Sequence, residues 1–259
     1  MVEPNILPDE IKNVSDFLKI VESIKNSEMK SKNHSDFIFR GQNIDKPLLP
    51  KLGRVSKQNT LEKREKLIFD EFKRLYVGLT ELTTESEWSL LSLAQHYGLP
   101  TRFLDWTYGA LTSLWFAVKN EGKDDKSEKQ NAVVWLLKTK IEDFITEEQI
   151  KISKLSPFDN NSTRIYRPTA ITTRISVQGG LFTVHQFGQI NHSKSVNKYF
   201  ITLNNDTEYS KRLIKIVIKS DNCKNIKKQL HECGVNSASL FPDLGGLCNH
   251  LAWRYFELT

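Results

Sequence analysis

Residues Ala132 to Leu137 form an unbroken run of apolar, partly β-branched side chains bounded on both sides by polar clusters. A strand with no polar member has no face to offer to water, so the run fits the centre of a sheet covered on both sides. The rest of the chain has to supply the covers. Phe17, Leu18, Val21 and Ile24 recur at spacings of three and four after Ser15, predicting an amphipathic helix from Val14, and Lys25 to Ser35 reads as a polar loop. Ala110 to Val118 is apolar nearly all round and predicts a buried helix. The charge-rich stretch from Thr60 to Leu82 reads as a long surface helix with Leu61, Leu67, Ile68, Phe72, Leu75 and Leu79 on one side. Trp88 to Tyr97 predicts a further helix, stopped by Gly98 and Pro100.

Short strands are expected at Phe37–Phe39, Thr101–Thr107 and Leu213–Ile218, and Arg174 to His185 reads as strand, glycine kink, strand. A loosely patterned insertion spans Lys140 to Thr169. A helix carrying Ile226 and Leu230 stops at Gly234, and another helix closes the chain after Ser239-Leu240-Phe241-Pro242-Asp243-Leu244. Helices come first, strands are scattered without regular βα alternation, and neither a linker nor a repeat divides the chain. The expected class is α+β, one domain over residues 1–259 with its core at about 14–251.

Composition excludes several alternatives. With 39% hydrophobic and 26% charged residues in 259, the chain is neither collagen-like, coiled-coil nor disordered. Its net charge of +6 suits an anionic ligand or nucleic acid without identifying either. Cys223, Cys233 and Cys248 are an odd number and predict no disulfide framework, as in a reducing cytoplasm. Nothing resembles a secretory leader or a membrane-spanning run, so a cytoplasmic protein without membrane contact is expected. The spacing of those cysteines with His231 and His250 matches no standard metal framework, and no metal is expected.

Three segments interrupt apolar strands with polar residues or glycine. In Phe39-Arg40-Gly41-Gln42, an arginine ending a core strand needs a carboxylate, such as Asp105 or Asp243, or a phosphate; Gly41 permits a tight turn or close approach of backbone to a ligand. Gln95 to Thr107 gathers His96, Arg102, Asp105 and Thr107 in a stretch otherwise built to pack. Gln178-Gly179-Gly180-Leu181-Phe182 reads as a bulged strand. Asp243 is most simply a turn or helix-capping aspartate.

In this order, Phe39-Arg40-Gly41-Gln42, Leu49-Pro50 to Arg54, Gln95 to Thr107 with the apolar helix after it, Arg174 to His185, and Leu240 to Leu244 resemble the blocks of the FRG domain family. A second resemblance is to ADP-ribosyltransferases of the arginine, serine, glutamate type. It implies a split, mixed β-sheet with N-terminal helices packed on it and NAD as substrate. Arg40 then matches the arginine that binds the pyrophosphate region, Thr107 matches the hydroxyl that shapes the nicotinamide pocket, and Gln178 lies where the glutamate would be. Glutamine cannot carry the negative charge that a developing ribosyl cation requires. Either Asp105 or Asp243 supplies the carboxylate, or the pocket is a non-catalytic module for a nucleotide or nucleic acid. A third reading is an interaction domain whose motifs are structural. Tyr97, Trp106 and Phe182 could wall a nicotinamide ring. The expected NAD-binding set is thus Arg40, Gly41, His96, Tyr97 and Thr107, and the catalytic set Asp105, Gln178 and Asp243. The resemblance further implies an intracellular toxin or phage-defence role, with nucleic acid or protein as acceptor and an antitoxin or immunity protein as partner.

Overall fold

A computed structural model of the chain describes residues 5–6, 10–29, 36–55, 61–81, 84, 86–122, 128–159, 161–168, 177–192 and 195–258. In chain order the elements are β1 (Asn5–Ile6), α1 (Val14–Met29), β2 (Phe37–Gln42), α2 (Lys51–Val55), α3 (Leu61–Leu75), α4 (Glu87–His96), β3 (Phe103–Thr107), α5 (Ala110–Val118) and β4 (Ala132–Lys138). They continue with β5 (Phe144–Ile145), α6 (Glu147–Ser153), β6 (Arg164–Tyr166), β7 (Gly180–Val184), β8 (Phe187–His192), β9 (Ser195–Phe200), β10 (Leu213–Ile218), α7 (Ser220–Glu232), α8 (Ser237–Leu240) and α9 (Leu244–Phe256).

The run at 132–137 is, as its composition requires, an inner strand. β4 pairs antiparallel with β10 on one side and β2 on the other. Ala132, Val134 and Leu136 join Phe37, Phe39, Ile216 and Ile218 in a core layer closed by α1, α5 and α7. Val133, Trp135 and Leu137 face the other way, with Ile38, Leu104, Trp106 and Leu181. This period-two division is why every residue of 132–137 is buried although the strand has two faces.

The architecture is mixed α and β, with helices on one mixed sheet of eight strands in the order β1-β10-β4-β2-β3-β7-β6-β5. A sheet split in two was expected; instead hydrogen bonds run through all eight strands. The junction between β2 and β3 is narrow, however, with Phe39 opposite Thr107 as its one paired position. Beyond it the two strands part, and the gap becomes the mouth of a cleft.

Three local expectations change for physical reasons. The helix expected over 60–82 ends at Leu75, and its inward face carries Leu61, Glu65 and Phe69, while Leu67, Leu75 and Leu79 are exposed. An acidic residue turns inward because Arg102, fully buried, needs it: Glu65 accepts from Arg102 Nε at 2.9 Å and from Nη2 at 2.6 Å. The first part of the strand expected from Arg174, residues 174–176, lies outside the described residues. The second half begins only at Gly180, because Gln178 and Gly179 form a turn with Gly179 at φ +54°. The unplaced insertion supplies β5, α6 and β6, which extend the sheet past β7. Among the described residues no helix is long and apolar enough to cross a membrane.

Candidate functional site

Where β2 and β3 separate there is a cleft of about 510 Å³. It is lined by Arg40 to Ile44 from the end of β2, by Gln95, His96 and Gly98 at the end of α4, by Asp105 to Thr107 of β3, and by Phe116, Lys119 and Gln178. The folding that makes it starts at Gly41. A Cβ built there would meet Ser113 O at 1.9 Å and Ala117 N at 2.6 Å, so α5 crosses β2 in direct backbone contact. The glycine is therefore required by helix packing, a reason the sequence did not offer, and Gly41 also lines the cleft through its main chain.

Arg40 leans into the gap. Its Nη1 donates to the Asp105 carbonyl at 2.7 Å, an acceptor that a continued β2–β3 ladder could have used, and lies 3.7 Å from the Asp105 carboxylate. Its Nε is buried and has no hydrogen-bond partner among the described residues. Burial pushes the Arg40 pKa down to about 10; Asp105 opposes this and Arg54 adds to it, so the guanidinium stays charged at neutral pH. A half-buried charge whose one carboxylate partner is loosely placed and largely exposed is a poor structural ion pair. Lys46, Lys51, Arg54 and Lys119 line the same cleft, against Asp105 as the one carboxylate among its described lining residues.

Asp105 is aimed by a relay. Thr101 Oγ1 donates to Gln95 Oε1 at 2.7 Å, and Gln95 Nε2 donates to both Asp105 carboxylate oxygens at 3.2 and 3.1 Å. The Thr107 hydroxyl is engaged with main chain, donating to Gln178 O and accepting from Gly109 N at 3.0 Å. It pins the turn before β7 against the end of β3. Gln178 lines the cleft, but its Nε2 donates to Leu240 O at 2.9 Å, tying that wall to α8. Below the floor, Trp106 Nε1 donates to Thr183 Oγ1, which contacts His185 Nε2, and His185 Nδ1 lies 2.8 Å from Ile201 O. A carbonyl only accepts, so Nδ1 carries the proton.

The structure thus brings Arg40, Gly41, His96, Asp105, Thr107 and Gln178 to one cleft. Two expected members are elsewhere. Tyr97 follows the last turn of α4 and is largely exposed, its ring edge-on to His96. Asp243 caps α9, its Oδ1 accepting from Gly246 N at 2.7 Å, and lines a separate cavity of about 480 Å³ with His231, His250 and Trp253. The capping reading is the one its geometry supports. Arg102, grouped with the site residues in sequence, is a core ion pair with Glu65, sandwiched among Phe158, Phe187 and Phe200. Lys46, Lys51, Arg54 and Lys119 were not read as site residues; Lys51 and Arg54 lie in the Leu49-Pro50 to Arg54 block, and nothing in the sequence singled out Lys46 or Lys119.

Fold and cleft together define an α+β protein with a cationic cleft opened between two strands of its main sheet. The family model of the FRG domain matches residues 35–126, from just before β2 to just after α5, which includes most of the cleft-lining elements. The likeness to that family seen in the sequence holds over this stretch, which stops short of Gln178 and Asp243. No curated protein and no solved structure matches the chain.

Proposed function

We propose that the cleft takes NAD as substrate in an ADP-ribosyltransferase-like transfer, with Arg40 clamping the pyrophosphate and Asp105 facing the reacting ribose. The observation that carries this reading is the Arg40 guanidinium, with Nε buried and unpartnered, in a cleft where cations outnumber carboxylates. Such a group is completed by an anion with several oxygens. The transfer breaks the bond between the nicotinamide nitrogen and the ribose carbon, the electron pair leaving with nicotinamide. The ribosyl centre becomes cationic, so a carboxylate held in place by Gln95 acts where charge develops. A nucleophile of the acceptor, nucleic acid or protein, then bonds to that ribose carbon and gives up its proton to water.

A second reading, a module that binds a nucleotide or nucleic acid without chemistry, is favoured by Gln178, whose amide is turned toward Leu240 in place of an acid. Calorimetric titration with NAD and a nicotinamide-release assay separate the two. Under the first reading Asp105→Asn retains binding and loses release, and Arg40→Ala weakens binding about ten- to a hundredfold, as expected on losing a charged hydrogen-bonding partner. NAD binding without release, with short RNA bound in a steeply salt-dependent way, selects the module. Unchanged NAD binding by folded Arg40→Ala removes the clamp from both.

A further inference from the structure

α9 presents an uncovered apolar stripe. Leu244, Leu247, Leu251 and Tyr255 recur at three- and four-residue steps and are 79%, 44%, 41% and 67% exposed, with Cys248 and Ala252 exposed among them. Its opposite side is anchored: Gly246, His250 and Trp253 are buried, and Trp253 Nε1 donates to Glu121. The stripe carries no charged residue over its whole length. The exposed apolar residues of α3 differ, because Glu71, Lys73 and Arg74 lie between Ile68 and Leu75.

We propose that this stripe is a self-association surface, on which α9 of a second copy of the chain lies antiparallel about a two-fold axis level with Asn249 and His250. Two features on the helix favour that occupant. First, the stripe is self-complementary under the rotation: Leu244 meets Tyr255 of the second copy, and Cys248 meets Leu251. Asp243 and Arg254 are exposed on the same flank of the stripe, near opposite ends. In an antiparallel pair, residues of one flank face each other, so Asp243 of each copy comes opposite Arg254 of the other, twice. Antiparallel α9 helices also set each positive helix N-terminus near the other's negative C-terminus. Second, the area is adequate: the stripe offers roughly 500 Å² per copy, about 1,000 Å² for the pair, at the lower limit of specific interfaces. The expected result is a reversible dimer of roughly micromolar to tens-of-micromolar Kd.

Sedimentation of the full chain from about 1 to 200 μM should show a concentration-dependent shift from monomer to dimer, in the Kd range above. Leu251→Glu, with an unchanged circular dichroism spectrum, should weaken dimerisation at least tenfold. If it misfolds, Arg254→Asp, an exposed change that sets two acids opposite each other, should weaken it instead. In a Cys233→Ser background Cys248 is the one exposed cysteine, and a short bismaleimide should join two copies through it. A wild-type chain that stays monomeric throughout overturns the proposal and leaves the stripe to a different chain. A dimer that is indifferent to both substitutions and is not joined at Cys248 also overturns it.

Discussion

His185 sits fully buried between β7 and the start of β8, and burial pushes its pKa from 6.5 down to about 4. The carbonyl of Ile201 and the charge of Asp206 oppose this less strongly, while Arg40 and Arg102 reinforce it. In the unfolded chain the ring takes up a proton below about pH 6.5; in the fold it resists until about pH 4. The unfolded state therefore binds more protons throughout that window. Stability is complete above pH 6.5 and falls as pH falls toward 4. At about 1.4 kcal/mol per pH unit, the loss by pH 4.5 is about 2.5 kcal/mol.

Urea unfolding followed by tryptophan fluorescence at steps from pH 7.5 to 4.5 would measure that loss. His250 is also pushed down, by burial, His231 and Arg254, so the wild-type slope alone does not isolate His185. His185→Asn does: its amide can still donate to Ile201 O and does not titrate in this range. The variant should be less stable at pH 7.5 but lose about 2.5 kcal/mol less than the wild type on acidification to pH 4.5. Parallel pH curves for the two proteins would refute the argument that a buried neutral imidazole supports the cleft floor.

Two further outcomes test the packing that positions the site. Gly41→Ala should destabilise the protein by about 3 kcal/mol or more in urea, since the new methyl has no room against Ser113 O; a loss under about 1 kcal/mol would mean α5 does not press on β2. Glu65→Gln should cost about 3–5 kcal/mol by leaving Arg102 charged and uncompensated in the core, and Glu65→Leu with Arg102→Met should recover most of it. Arg102→Met as stable as the wild type with Glu65 intact would contradict the pairing.

The sequence made the central strand readable because a run buried on both faces leaves no other pattern to follow. It made the α5 helix readable for the same reason: five of its nine residues are buried, including Leu114, Trp115, Ala117 and Val118. The face of α3 was misread because apolar spacing cannot anticipate that a distant buried arginine will draw Glu65 inward. The edge strand β5 and its neighbour β6 are two and three residues long, too short to display a period. At the site, the blocks around Arg40, Asp105 and Gln178 do converge, since Arg40 and Asp105 lie on strands that part at the cleft and Gln178 just precedes a third. Asp243 did not follow them, because a carboxylate before a helix has a local donor, Gly246 N, that requires no distant partner.

The Phe-Arg-Gly triplet now has a division of labour set by strand alternation. Phe39 enters the core beneath α1 and α5, and Gly41, on the same face, lets α5 come into contact with the backbone. Arg40, between them, must point the other way, toward the face where Trp135 is its register partner. Because β3 leaves β2 after the Phe39 position, that direction leads into the gap rather than into a closed layer. A cation placed there by the packing of its two neighbours is held in position before any ligand arrives, so it does not have to be ordered on binding. The same dependence links stability to affinity. A side chain at position 41 that displaces α5 would also move Arg40, Phe116 and Lys119 relative to Asp105, without changing any charged group of the cleft.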